Sequence, residues 1–155
     1  VARSPYYSNW NKEKGIKPAD VYRAYALDRI SDIQDTGKTF KMKKDFDINH
    51  YFEGCCGVIT SDEPIQRIVL LAYGGFADYL RTLPLHESQR EIEGDDESTL
   101  FEYHLKPTFD FYQLILAQGD QVEVLEPESV RDEMRNFAKN MLDYYTWEED
   151  KPCKE

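Results

Sequence analysis

The side chains best suited to hold a metal ion are three histidines and two cysteines. His50, His86 and His104 are widely separated, and Cys55 is followed directly by Cys56. Zinc sites draw their ligands from pairs such as C-x-x-C or H-x-x-x-H, because a short gap lets both side chains reach one ion. None of these spacings is present. The sequence therefore predicts no metal site and no cofactor.

Nucleophilic catalysis has no recognisable signature in the sequence. The G-x-S-x-G turn that exposes a nucleophilic serine is missing. Ser88 follows His86 by two residues in a predicted loop, and the 30 Asp and Glu residues are more simply a solvated surface. Gly74-Gly75 separates a predicted strand from a predicted helix, but a dinucleotide-binding loop needs three spaced glycines. We therefore expect a tight turn there and a protein that is not an enzyme.

Basic residues near the N-terminus are the strongest candidates for ligand contact. Residues 1–44 carry ten Lys or Arg and five Asp or Glu, a net charge of +5, whereas residues 45–155 carry −16. Arg23 and Tyr25 have the same parity in a predicted strand, and Arg3 lies in β-like sequence. A guanidinium beside an aromatic ring can hold a phosphate or a base. The alternative is an ordinary exposed arginine without a ligand.

Composition limits the class of protein further. A chain of 155 residues with 41% hydrophobic residues can bury a core in one domain or two small ones. Its longest apolar run, Ile68–Ala72, is far short of the roughly 20 residues of a membrane span. The opening Val-Ala-Arg-Ser resembles no secretory signal, and three cysteines are few and odd in number. These features predict a cytoplasmic protein without a membrane segment.

The first part of the chain is predicted to form strands and turns. Val21–Ile33 is strand-like, residues 35–38 (Asp-Thr-Gly-Lys) form a turn, and Thr39–Lys44 is a short return strand. Asp47 is typical of a helix N-cap. Apolar residues at 48, 51, 52 and 55 follow at helical spacing, so a short helix is predicted to end at Gly57.

From residue 65 onward, strands and helices alternate. Strands are predicted at Gln66–Tyr73, Gln89–Glu93, Thr99–Lys106 and Val122–Leu125, with helices at Phe76–Leu83, from Pro107 to Gly119 and from Pro127 onward. The order β-α-β-β-α-β predicts a ferredoxin-like, four-stranded sheet with helices on one face.

The last predicted helix has a long apolar stripe. Its members are Val130, Met134, Phe137, Ala138, Met141, Leu142 and Tyr145, with Tyr144 and Trp147 near its end. This stripe exceeds what one small sheet needs. We therefore expect a homodimer.

Four segments, in this order, resemble the WYL-domain family. Arg23-Ala24-Tyr25-Ala26-Leu27-Asp28-Arg29-Ile30 is similar to its R-x-F-R-L-D-R-I segment. Asp45-Phe46-Asp47, with Tyr51-Phe52 and Gly57-Val58, is similar to its linker helix. Pro84-Leu85-His86-Glu87-Ser88-Gln89 resembles its P-x-H-x-S-Q turn, and Gly119–Pro127 resembles its G-x-x-V-E-V-L-E-P strand. Together these segments cover nearly the whole chain.

The resemblance implies an α+β protein of two modules. Residues 1–44 would be the C-terminal half of a small Sm/SH3-like β-barrel, the WYL domain. A linker helix and loop at 45–61 would lead to a ferredoxin-like extension at 62–147, which ends in an extra helix, and residues 148–155 would be a frayed tail. In the family a winged helix-turn-helix domain comes first. The DNA-binding domain is therefore expected to be absent from this chain, and duplex DNA to be bound only through that domain.

The family consists mostly of bacterial transcriptional regulators, and its WYL domain is thought to sense an effector. The resemblance therefore implies an effector-sensing and dimerisation region, with a nucleotide or single-stranded nucleic acid as a possible effector. Arg23 matches the first arginine of the motif and is the best ligand contact, beside Tyr25. Arg29 matches the second conserved arginine, for which we expect a structural role. His86 and Gln89 match the extension motif and are expected to form a turn, with a functional role as the alternative.

Two usual pocket residues of the family are replaced in this sequence. The family's other pocket arginine falls at Ala26, and a frequent histidine falls near Pro5. A different effector, or a structural dimerisation or protein-interaction module without a ligand, is therefore the main alternative. A small ferredoxin-like enzyme is a third reading, which would require a pocket with paired titratable groups.

Overall fold

The computed structural model describes residues 2–3, 22–39, 44 and 46–146, and divides the chain into two compact units, Val1–Asp47 and Ile48–Glu155. The first unit contains two short strands, β1 (Ala2–Arg3) and β2 (Tyr22–Arg23), which pair antiparallel. Ala2 lies opposite Arg23, and Arg3 lies opposite Tyr22. The predicted half-barrel stays a prediction, because these two strands alone do not define its topology.

The strand predicted over Val21–Ile33 is wrong beyond Arg23. Leu27–Arg29 is a single 3-10 turn, in which the Ala26 carbonyl accepts a hydrogen bond from the Arg29 N–H at 3.2 Å. Residues 23–39 are all exposed, so no buried face holds them extended. Residues 35–38, predicted to form a turn, are assigned no regular turn, but Gly37 has φ 62° and its N–H donates to Asp35 Oδ1 at 2.8 Å. The return strand at Thr39–Lys44 lies largely outside the described residues.

The second unit begins with helix α1 (Ile48–Phe52), which is shorter than predicted. The helix does not reach Gly57, because the chain reverses at Gly54, whose φ is 70°. Gly54 is buried, and a Cβ atom there would lie 2.8 Å from Ile65 Cγ1. Its carbonyl accepts a hydrogen bond from the Lys106 N–H at 2.7 Å. Glycine is therefore required both by the left-handed backbone and by the close packing.

Four strands form one antiparallel sheet, as the residue pattern predicts. They are β3 (Gln66–Tyr73), β4 (Arg90–Gly94), β5 (Ser98–Leu105) and β6 (Val122–Glu126), in the spatial order β4-β5-β3-β6. The helices between and after them are α2 (Phe76–Thr82), α3 (Phe109–Leu116) and α4 (Glu128–Tyr145). The chain is thus α+β, and each strand begins within one residue of its predicted start.

Strict alternation along β5 places one set of side chains in the core. Thr99, Phe101, Tyr103 and Leu105 are buried, while the residues between them are partly or fully exposed. The core also takes residues from β3, from β6 and from all three helices: Ile68, Leu70, Ala72, Ala77, Leu80, Phe111, Ile115, Val122, Val124 and Val130. Each large side chain buried in this way stabilises the fold by about 1.5–3 kcal/mol.

Candidate functional site

The four predicted ligand-contact residues all lie in the first unit. Arg23 is the last residue of β2 and is exposed, and Arg29 ends the 3-10 turn and is also exposed. Strand pairing brings the backbones of Arg3 and Arg23 to neighbouring strands. Tyr25 is 47% exposed and lies outside the strand. The predicted shared strand face of Arg23 and Tyr25 is therefore wrong, because β2 ends at Arg23.

The two positions that depart from the family pattern are Ala26 and Pro5. Ala26 is exposed and precedes the 3-10 turn, and its methyl group offers no hydrogen-bond donor to a ligand. Pro5 lies outside the described residues. Of the motif residues Arg23–Arg29, those whose side chains can donate hydrogen bonds to a phosphate are therefore Arg23, Tyr25 and Arg29.

His86 forms a closed hydrogen-bond pattern within its loop. Its Nδ1 accepts hydrogen bonds from the Ser88 hydroxyl at 2.7 Å and from the Ser88 N–H at 3.2 Å. The Ser88 hydroxyl oxygen in turn accepts one from the His104 N–H of β5 at 2.9 Å. Partial burial lowers the pKa of His86, although the nearby Glu87 opposes this shift. The ring is thus held neutral as an acceptor, which agrees with a turn-forming role.

Gln89 joins the same loop to a helix and to the core. Its Nε2 donates to the Leu80 carbonyl at 2.7 Å, and its Oε1 accepts from the Leu85 N–H at 3.2 Å and from the Tyr103 hydroxyl at 2.8 Å. Tyr103 is fully buried, and burial raises its pKa. The side chain of Gln89 is therefore committed to internal partners.

The adjacent cysteines offer little chemistry. Burial, followed by the charges of Cys55 and Asp110, raises the pKa of Cys56 to about 12. Cys56 is thus a protonated thiol at neutral pH, whereas nucleophiles and metal ligands are thiolates. Within the part of the chain that the structure describes, no group of three or more His, Cys, Asp or Glu side chains is placed to hold a metal ion.

Two clefts in the second unit lack cationic side chains. One, of about 400 Å³, is lined by Cys56, Gly57, Val58, Asp110, Gln113 and Leu114. The other, of about 440 Å³, is lined by Glu63, Gln66, Pro107, Tyr112, Ser129, Val130 and Glu133. Burial raises the pKa of Tyr112, and Glu133 and Glu63 raise it further. Both clefts would disfavour a phosphate group, because their charged lining residues are all carboxylates.

The sheet face opposite the core is also acidic. Arg67 hydrogen-bonds to both Glu102 and Glu126, so its own charge is matched by carboxylates on both neighbouring strands. On the same sheet, Glu123 accepts hydrogen bonds from the Tyr73 hydroxyl at 2.8 Å and from Arg131 at 3.1 Å. These carboxylates oppose the binding of a nucleic acid to this face.

Helix α4 has a covered half and an uncovered half. Val130 is buried, Met134 packs against the core, and the Phe137 ring lies 5.6 Å from that of Tyr112. By contrast, residues 138–146 are all exposed. The predicted stripe is therefore present, but only its first part is used within this chain's described core. Among residues 22–39 and 46–146, no helix is both long and apolar enough to cross a membrane.

The sequence did not reveal which residues hydrogen-bond the His86–Gln89 loop to the sheet. Tyr103 and the Ser88 hydroxyl connect the Gln89 loop to β5. The serine of the P-x-H-x-S-Q pattern was an available signal. The tyrosine gave none, because its contact with Gln89 depends on how β5 lies beside the loop.

Comparison with known proteins identifies the second unit. Residues 64–142 match the family model of the WCX domain. The match covers just over half of the 155 residues and includes all four strands of the sheet. No curated protein matches the chain. The chain therefore belongs to the WCX-domain family, which fits the C-terminal part of a WYL-type regulator.

Proposed function

We propose that this chain is the effector-sensing and dimerisation region of a bacterial WYL-type transcriptional regulator, acting in the cytoplasm and regulatory rather than catalytic. One observation carries the proposal: the WCX match at 64–142 follows, in chain order, the WYL-like segment Arg23–Ile30. The hydrogen bonds of His86 and Gln89 support it, since they give the extension motif a consistent structural role.

The fold supports a ferredoxin-like interpretation of the second unit. β3 and β5, the first and third strands of the sheet, are central, while β4 and β6 lie at its edges. This order and the sequence β-α-β-β-α-β are those of the split βαβ arrangement. In the first unit, the pairing of β1 with β2 is compatible with part of a barrel.

Charge supports a phosphate-bearing effector in the first unit. Residues 1–44 carry a net charge of +5, and Arg23 and Arg29 are exposed within them. The second unit offers carboxylates in its clefts and on its open sheet face. A mononucleotide or short single strand could thus bind near Arg23. A long nucleic acid would be repelled by the net charge of −16 on residues 45–155.

Mechanistically, the effector acts by binding two arrangements of the dimer with different affinity. The favoured arrangement changes how the helix-turn-helix domains, which the resemblance places before this region, meet DNA. Such coupling is limited by the difference in the effector's affinity for the two arrangements.

A second candidate function is a structural dimerisation module without a ligand. Ala26 favours it, because this exposed position has a methyl group where the family's pocket arginine is expected.

Titration of labelled single-stranded oligonucleotides and of mononucleotides with the 155-residue chain tests the proposal. Arg23→Ala should abolish binding or weaken it at least tenfold, since it removes a charged donor. Lys38→Ala is the matched control, because Lys38 is an exposed cation of the same unit. Equal losses of affinity in the two variants would indicate that the chain attracts phosphate only through its general positive charge, without a specific contact at Arg23. No binding by the wild type would favour the module without a ligand, or an effector of other chemistry.

A further inference from the structure

The apolar stripe of α4 continues beyond the core that it covers. Val130, Met134, Phe137, Met141 and Tyr144 follow one another at steps of four, three, four and three residues, which keeps them on one side of the helix. The first three contact this chain's own core or α3. The remaining eight residues of the helix, 138–145, extend about 12 Å further.

This extension has an uncharged, exposed face. Met141, Leu142, Tyr144 and Tyr145 are 43%, 63%, 76% and 80% exposed. At about 100° of rotation per residue, the charged Lys139 and Asp143 lie on the side opposite Met141. The face around Met141 therefore presents apolar and aromatic groups without a charge between residues 137 and 145.

We propose that residues 137–145 of α4 pack antiparallel against the same residues of a second copy, around a two-fold axis at Met141. This inference rests on the dimerisation part of the proposed function and names the surface that performs it. The symmetry places Tyr144 on the partner's Ala138, and Leu142 beside the partner's Asn140. At these two pairs a large side chain thus meets a smaller one, as ridge-into-groove packing favours.

The exposed area is sufficient for such a contact. Two tyrosines that are at least three-quarters exposed, with a leucine and a methionine about half exposed, offer roughly 500 Å² per copy. Complete burial of this surface in both copies would remove about 1,000 Å² from solvent, which reaches the lower limit for a specific interface. Tyrosine is also among the residue types that most often dominate the binding energy of an interface.

The edge strand β4 is a less suitable surface for self-association. Its five residues include Arg90, Glu91 and Glu93, and its register with β5 shifts between Glu91 and Glu93. Charges and irregularities of this kind protect an edge from pairing with another strand. The second copy is therefore better accommodated by the helix than by this edge.

Sedimentation velocity of the 155-residue chain, from low to high micromolar concentration, tests the surface. The wild type should dimerise, and Tyr144→Ser should weaken the dimer roughly 100-fold, because the symmetry applies the loss twice. Tyr79→Ser is the matched control, since Tyr79 is 46% exposed on α2. A dimer that Tyr144→Ser leaves unchanged overturns this interface but keeps dimerisation. A monomeric wild type contradicts both this interface and the proposed dimerisation. Effector binding near Arg23 is measured in a separate experiment.

A pair of charged variants tests the antiparallel register. Ala138→Lys and Tyr144→Glu should each weaken self-association, and an equimolar mixture should restore it at least tenfold. In the mixed dimer, Lys at 138 faces Glu at 144 of the partner on one side, while the native pair remains on the other. A mixture no tighter than the separate variants overturns the register. Far-UV circular dichroism confirms folding, which both exposed positions should tolerate.

Discussion

Replacement of Gln89 by leucine is the sharpest test of how the P-x-H-x-S-Q segment works. The side-chain amide of Gln89 is hydrogen-bonded to the Leu80 carbonyl, the Leu85 N–H and the Tyr103 hydroxyl. Leucine keeps a side chain of similar size but satisfies none of these groups. The Tyr103 hydroxyl would suffer most, because the residue is completely buried.

The magnitude follows from the three lost hydrogen bonds. Each contributes about 1 kcal/mol net, and an orphaned buried hydroxyl adds a penalty of about 1–3 kcal/mol. We therefore expect Gln89→Leu to lower the free energy of unfolding by about 4–6 kcal/mol, a large part of a typical domain's stability. Tyr103→Phe alone should cost about 1 kcal/mol. The double variant should cost about 2–4 kcal/mol less than the sum, because the hydroxyl that Gln89→Leu orphans is gone and the hydrogen bond that the two residues share is lost only once.

Urea unfolding followed by far-UV circular dichroism measures all three variants. Gln113→Leu is the matched control: Gln113 is exposed on α3, and its substitution should change stability by less than about 0.5 kcal/mol. If Gln89→Leu costs less than about 1 kcal/mol, or if its effect and that of Tyr103→Phe are additive, the structural role assigned to the Gln89 side chain is wrong. The segment would then be available for another role, such as ligand contact.

Two further predictions concern pH and the loop at Gly57. Because burial lowers the pKa of His86 from its ordinary 6.5, the unfolded chain takes up this proton first. The stability contributed by neutral His86 is therefore complete above that value and declines as pH falls toward the folded-state pKa. Between about pH 8 and about pH 5, wild type should lose more stability than His86→Asn, and equal losses would contradict this assignment. A Cβ at Gly57 would overlap the Asp110 carboxylate, which accepts a hydrogen bond from the Ile59 N–H at 2.9 Å. Gly57→Ala should thus speed hydrogen exchange at Ile59 about tenfold, whereas Gly75→Ala, where a Cβ meets nothing within 4 Å, should not change it.

The second unit was predictable because its residue pattern and its burial agree. Alternation along Thr99–Lys106 predicts one buried face, and the structure buries that face against three helices. The first unit was less predictable. Strand-like residues after Arg23 find no partner strand or buried surface among the described residues, and a local 3-10 turn forms instead.

The candidate site residues were likewise predictable only in part. Local pattern was enough to predict a turn at His86 and Gln89, but two of the three partners of Gln89 lie nine and fourteen positions away and depend on the packing of α2 and β5. Helical periodicity predicted the stripe of α4. Which half of it stays uncovered depends on where the core ends, at Phe137, and no sequence period encodes that boundary.

The most direct test of effector sensing is the salt dependence of single-strand binding by the 155-residue chain. Affinity would be measured from about 50 mM to about 200 mM salt for wild type and Arg23→Ala. The wild type should bind the single-stranded oligonucleotide, and its affinity should fall as the salt concentration rises. Arg23→Ala should reduce the slope of log affinity against log salt by about one, the value of one lost phosphate contact. An identical slope and affinity in the variant would contradict the assignment of Arg23 as the effector contact.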